Sequence, residues 1–307
     1  MIGRITNQMS SQMTLAGIET ALDRLDTTQQ QLSTGKRINQ PSDDPSGTSL
    51  ALQLNTQLSS LNAYNNNVTD GTGWAQASSS AMTDVTNAVQ RIRELTLEAS
   101  NGTQSAADMQ ASAQEVNQLI DEIKQDANTQ YNGQYVFSGS ATATAPYQSG
   151  SNDAYAGNSG TVNRQIGPGT SLAINANLGS VLGSGQTTAG QPAGDGLLLN
   201  TLRNISDAMQ SGDSSSLNGD LTSLDSNFNA LTGVAAQTGA VQDRLQMAAS
   251  RIQTLQTSDT QVLSNTQDAD MASTEISYST QQAALTAALQ AGANIVQQSL
   301  MNFLGNN

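Results

Sequence analysis

Apolar residues recur at steps of three and four near both ends of this 307-residue chain. That spacing restricts the ends to long helices packed along a seam. Near the start, Leu15, Ile18, Leu22, Leu25 and Leu32 keep the rhythm, with Gln29 in the skipped place. Gly35 fits a left-handed helix cap, with Ile38 free to fold back on the last turn. Asp44 before Pro45 reads as a second helix start, an acceptor for free amides followed by a residue with φ already set. Leu54, Leu58, Leu61 and Val68 carry that helix on, with a disturbance expected at the Asp70–Trp74 run DGTGW. Met82, Val85, Val89 and Ile92 form the next stripe, and Met109, Ala113, Val116, Ile120, Ile123 and Ala127 an unbroken one after it.

From Tyr131 the texture changes. Asn132-Gly133 between aromatic and β-branched residues reads as a tight hairpin. Residues 140–196 are rich in Gly, Ser, Thr and Ala around short β-like runs, Thr161 to Ile166 and Thr170 to Asn175. Helical spacing then returns through Leu198, Leu202, Ile205 and Met209, through Leu217 to Leu231, and from Val241 to Val262 with Asp259 as the one interruption. Helices, a β-rich middle and helices again predict a hairpin path that brings the two ends together. The expected fold is mainly α with a β-rich insert: paired N- and C-terminal helices carrying a small distal β domain. The expected divisions are residues 1–44 with 265–307 as a terminal paired-helix domain, 45–139 with 197–264 as a helical rod, and 140–196 as a β-rich outer domain.

Composition removes whole classes of function. Twenty-five acidic residues face 11 basic ones, and no Lys or Arg follows Arg251, so the charge that grips nucleic acid or anionic membrane is missing. With no Cys and no His, the chain has no thiolate nucleophile and lacks the commonest general base and zinc ligand. No catalysis, cofactor or metal is expected. The first residues, MIGRITNQMSSQMTLAG, hold neither an apolar core nor a cleavage pattern. They are read as no cleavable signal.

After Glu275 no charged residue occurs, yet Leu285, Leu289, Val296, Leu300 and Phe303 keep an apolar rhythm among many amides. Gln290, Asn294, Gln297 and Asn302 make the segment too polar to cross a bilayer, so no membrane insertion is expected. Burial against partner chains is the expected reason for the missing charge, with a free surface helix as the alternative. In a helical array each side chain meets copies of itself, and a repeated charge in a partly dry interface repels.

The remaining motifs carry little chemistry. Gly183 to Gly190, GSGQTTAG, has the glycines of a phosphate loop without its lysine and reads as a plain loop. Asp43 and Asp44 suit helix capping better than metal binding. Ser151 to Gly160 lacks the spaced carboxylates of a calcium loop, and Trp74 is read as core.

Four stretches together resemble the bacterial flagellin family: LSTGKRINQPSDDPSG (Leu32 to Gly47), QRIRELTLEASNGT (Gln90 to Thr103), the neutral C-terminal helix with AALQAGANIVQQSLMNFL, and NGQYVFSGS (Asn132 to Ser140). The last, with RITNQM and ISYSTQQAALTAALQ, is similar to the hook-associated branch of that family. The resemblance implies a non-catalytic structural subunit of the bacterial flagellum at the hook–filament junction, extracellular and exported unfolded by the type III apparatus. It implies self-association in a ring, contact with an adjacent hook-associated protein and with filament flagellin, and a cytoplasmic export chaperone at the C-terminal region. The terminal-helix residues named above, Leu15 to Leu32 and Leu285 to Phe303, would make the subunit and chaperone contacts. Arg91, Leu95 and Glu98 lie in a segment similar to one recognised by an innate immune receptor, though packing explains them as well. A main filament flagellin and a secreted coiled-coil adhesin or host-binding protein are the alternatives.

Overall fold

Local hydrogen bonding decides where the helices begin and end. In the computed structural model, residues 7–102, 104–188, 191–192 and 194–304 are described, without the side chains of 7, 8, 10, 11, 188, 191, 192, 295, 296 and 298–304. Helix α1 spans Asn7–Thr34 and stops at Gly35, whose φ of +68° is left-handed and whose N–H donates to Gln31 O at 2.9 Å. Ile38 folds back and is buried, as the cap requires. Helix α2 spans Pro45–Ser100, and Asp44 caps it by accepting from the Gly47 N–H at 2.9 Å and the Ser46 hydroxyl at 2.8 Å. Helix α3, Ala106–Ala127, opens on a capping box in which Ser105 and Asp108 accept each other's backbone N–H.

Strands β1 (Gln130–Tyr131) and β2 (Gln134–Tyr135) form the hairpin, with φ of +49° at Asn132 and +75° at Gly133. Both central residues are left-handed, the signature of a type I′ turn. Two more antiparallel hairpins follow: β3 (Asn163–Gly167) with β4 (Thr170–Ala173), and β5 (Gln186–Thr188) with β6 (Gln191–Pro192). The short helix α4, Gly179–Leu182, lies between them. Helices α5 (Leu198–Ser211), α6 (Ser214–Gln267) and α7 (Met271–Leu304) complete the chain.

These elements form two units, Met1–Ser60 with Leu255–Asn307, and Leu61–Thr254. The second unit holds the main core. Every residue of the α3 stripe, Met109, Ala113, Val116, Ile120, Ile123 and Ala127, is buried there. Val85, Val89 and Ile92 of α2, Leu202 and Ile205 of α5, and Leu224 and Leu231 of α6 join them. The hairpin region contributes Phe137, Tyr147, Ile174 and Leu182 to the same cluster, so its short strands are anchored by side chains rather than by an extended sheet.

Two expectations change. Helix α2 runs unbroken through Asp70–Trp74, because Gly71 and Gly73 serve close approach instead of a break. A Cβ at Gly71 would lie 3.1 Å from Leu245, and one at Gly73 would lie 2.4 Å from the Tyr131 hydroxyl. The stripes at Leu217–Leu231 and Val241–Val262 belong to one helix, α6.

Candidate assembly surface

In the first unit α1 and α7 pair antiparallel. Thr28 donates its hydroxyl to the Gln281 side-chain oxygen, and a Cβ at Gly292 would meet Thr14 at 3.3 Å and Ile18 at 3.4 Å. On α1 the seam takes Thr14, Ile18, Ala21, Leu25, Thr28 and Leu32, with Gln31 half-buried beside them. On α7 it takes Thr274, Tyr278, Gln281, Leu285, Ala288 and Gly292. Each set advances by alternating steps of four and three, the spacing of a helix–helix seam. The side chains in it are small or polar as often as large and apolar.

Of the expected contact residues, Ile18, Leu25, Leu32 and Leu285 are half-buried on this seam. Leu15, Leu22 and Leu289 are not consumed by it: they remain 57%, 43% and 51% exposed. Ile276 is exposed as well. The side chains of Val296, Leu300 and Phe303 lie outside the described residues. Large apolar groups thus face outward on a helix pair whose α7 partner carries Glu275 as its one charge. Exposed large apolar side chains grouped on one helix pair make it a candidate interaction surface.

A clasp closes the base of the pair. The Arg37 N–H donates to Gln267 O at 2.7 Å, its guanidinium donates to Thr266 O at 2.8 Å, and Ala269 N–H donates to Gly35 O at 2.9 Å. Arg37 also reaches Asp44 at 3.4 Å. The Gly47 N–H, then the Ser46 hydroxyl, with Arg37 a smaller contributor, hold the Asp44 carboxyl below its usual range. Asp43 accepts from the Asn39 and Gln40 N–H groups, both at 2.9 Å. Both carboxylates in the QPSDDP stretch are therefore spent on backbone. A groove of about 610 Å³ beside the seam is walled by Asp23, Arg24, Arg37, Asp270 and hydroxyls, a polar channel rather than an apolar ligand pocket.

The second unit holds a buried ion network. Asp153, fully buried, accepts from Lys124 Nζ at 2.9 Å and from Arg203 Nε and Nη2 at 2.8 and 2.9 Å. Lys124 also donates to Gly150 O, and Arg203 to Asn117 Oδ1 at 2.8 Å. Burial alone would push the Asp153 carboxyl up, but Arg203, the Gln186 N–H and Lys124 hold it below its ordinary value. The carboxylate of the Ser151–Gly160 loop thus binds the chain's own cations. In the neighbouring glycine loop, the Ser184 and Gln186 N–H groups donate to Asp195 and Asp153, the bonds a phosphate would need. Sequence reading missed this network. Its one signal is Lys124 itself, four residues after Ile120 and three before Ala127, on the apolar face of α3.

Arg91 pairs with Glu115 at 2.8 Å and with Glu94 at 3.3 Å, Leu95 is buried, and Glu98 is exposed. The receptor-like trio does not form one open face. Arg93 meets Asp225 of α6 at 2.6 Å. Among the described residues no helix is long and apolar enough to cross a membrane.

Comparison with known proteins places these elements. Residues 5–142 match the model of the bacterial flagellin N-terminal helical region, and residues 221–304 that of the C-terminal helical region. Flagellin 1 of Proteus mirabilis is 38% identical over 125 residues, 40% of this chain and 34% of that protein. The match thus spans about a third of the length of such curated relatives. FlgL of Bacillus cereus superposes with a TM-score of 0.56 at 19% identity, over 70% of this chain and 99% of that one. The flagellar junction protein FlgL of Legionella pneumophila gives a TM-score of 0.53 at 14% identity, over 64% and 98%. With both helical regions matched on its two arms and the same helical fold around a small strand-bearing region, the chain belongs to the bacterial flagellin family.

Proposed function

We propose that this chain is a structural subunit of the bacterial flagellum at the hook–filament junction, assembling through its terminal helices. One observation carries the reading: Leu15, Leu22, Ile276 and Leu289 stay exposed on the terminal helix pair, whose α7 has Glu275 as its one charge. A free surface helix normally presents charge to water; after Glu275, α7 presents amides, hydroxyls and apolar side chains instead. The fold shared with the flagellar junction protein FlgL of Legionella pneumophila supports the junction over other places in the flagellum. In this reading residues 1–44 with 265–307 form the assembly domain, 45–139 with 197–264 the rod, and 140–196 the outer region. The subunits form a ring that contacts a hook-associated protein on one side and filament flagellin on the other.

Before assembly the same apolar surface needs cover, which favours an export chaperone on the C-terminal region, and the assembled protein is extracellular. A structural, non-enzymatic role accords with the flagellin match. Arg91, Leu95 and Glu98 serve packing and the α2–α3 ion pairs; soluble protein that triggered flagellin-receptor signalling would refute that assignment. The deciding experiment is deletion of the gene from its own bacterium. The expected phenotype is an intact hook without a filament, with flagellin released to the medium. A normal filament would rule the proposal out.

A further inference from the structure

Every Arg and Lys of the second unit, Leu61–Thr254, pairs with a carboxylate of the same chain except two. The two are Arg244 and Arg251 of α6, both exposed and with no ion pair among the described residues. They stand two helical turns apart on one face, about 10 Å along the axis. Neither has an acidic residue three or four positions away, so α6 itself supplies no counter-charge. Met247 lies between them on the same face and is 64% exposed. An apolar centre rimmed by charge is the make-up of a docking face.

The opposite deficit lies on α2 and α3 of the same unit. Asp84, Glu122 and Asp126 come together there, and none of the three meets a cation among the described residues. Lys124, close by in sequence, turns inward to Asp153 and also takes Asp121. Burial, then Asp84 and then Glu122 push the Asp126 carboxyl up, so the three carboxylates repel one another. The acidic pair at the head of α6 differs, because Asp213 is spent on the Ser215 and Ser216 N–H groups. Each patch lacks what the other holds, and the two do not pair within the chain. A second copy supplies both complements at once. Contact between unlike patches is heterologous, so it passes from copy to copy and closes into a ring where the rotation allows.

We propose that the Arg244–Met247–Arg251 face of α6 docks on the Asp84–Glu122–Asp126 patch of a second copy, a contact that rests on the reading of this chain as a ring subunit. The charges set partner and register, which complementary charge does more than it adds affinity. Met247 is the apolar anchor between them.

The chain has no Cys, so introduced thiols are the only ones it carries. Full-length protein with Met247→Cys and Glu122→Cys replaces the native chain in its own bacterium. Isolated flagella are treated with a short thiol cross-linker and blotted for this chain. The double variant should give a ladder of covalent multimers, either single variant should stay monomeric, and the two singles co-expressed should stop at dimers. Dimers from one single variant alone would show a like-to-like contact and overturn the inference. So would monomers only from both this pair and Met247→Cys with Asp84→Cys. Charge reversal gives a readout that needs no thiol. Arg244→Glu with Arg251→Glu should lower the amount of this chain in flagella several-fold, and adding Asp84→Lys with Glu122→Lys should restore it. Unchanged amounts after reversal, or no recovery on the swap, would also overturn it. Protein located at the junction without a ladder refutes the docking contact alone; a ladder from protein spread along the filament refutes only the junction reading.

Discussion

Asp153, Lys124 and Arg203 show how one carboxylate can decide the stability of a region with short strands. Lys124 is 1% exposed and Asp153 0% exposed, so neither charge has water to fall back on. Removing one member of such a pair leaves uncompensated charge buried. Asp153→Ala should therefore lower unfolding free energy by about 3–5 kcal/mol, read from chemical denaturation. Asp126 presents the opposite case. Burial, then Asp84 and then Glu122 push its carboxyl up to about 6, and its Oδ2 is buried with no hydrogen-bond partner among the described residues. Because the folded chain binds this proton more tightly than the unfolded chain, its contribution to stability falls as pH rises from about 4 to about 6. Asp126→Asn should raise the melting temperature at pH 7, with the gain shrinking toward pH 4; a constant difference across that range would contradict the assignment. The sequence announced neither residue. Asp153 sits in a Ser- and Gly-rich loop that reads as solvated, and its cations come from helices 29 and 50 residues away. Nothing local marks a salt bridge of that span.

At the scale of elements, the α3 stripe was legible because burial there follows the apolar period, with Lys124 as a charged residue added on the same face. Ile120→Ala should cost about 2–5 kcal/mol, since Ile120 is fully enclosed. Leu22→Ala, at an equally periodic position, should change monomer stability by no more than about 0.5 kcal/mol. A large loss for Leu22 would mean that the monomer buries it. The α1 and α7 stripes were legible as stripes but not in their division of labour. The seam takes Thr28, Gln281, Ala288 and Gly292, residues no hydrophobic pattern would select, and leaves Leu15, Leu22 and Leu289 outside. Helix pairing here combines Ile18, Leu25, Leu32 and Leu285 with small side chains and a side-chain hydrogen bond. The caps at Gly35 and Asp44 and the Asn132-Gly133 turn were readable because each is a short-range demand of one backbone conformation. Within Asp70–Trp74 the same glycine rule misled: Gly71 and Gly73 admit Leu245 and Tyr131, distant in sequence, without breaking the helix.

For the whole molecule, the proposed assembly accounts for the uncharged run of α7 after Glu275. Gln290 and Gln297 are both exposed on α7, so Gln290→Lys or Gln297→Lys should leave the second unit's melting unchanged. The same changes should suppress assembly, measured by sedimentation, because each added ammonium would face its copies in neighbouring subunits. Unimpaired assembly of both variants would show that repulsion is not why the segment is neutral. The central claim, a junction subunit, is tested most directly by location. Antibody raised against this chain, applied to intact flagella of its own bacterium and viewed by immunogold electron microscopy, should label one narrow band between hook and filament. Label distributed along the filament would contradict the claim and make the chain a filament flagellin.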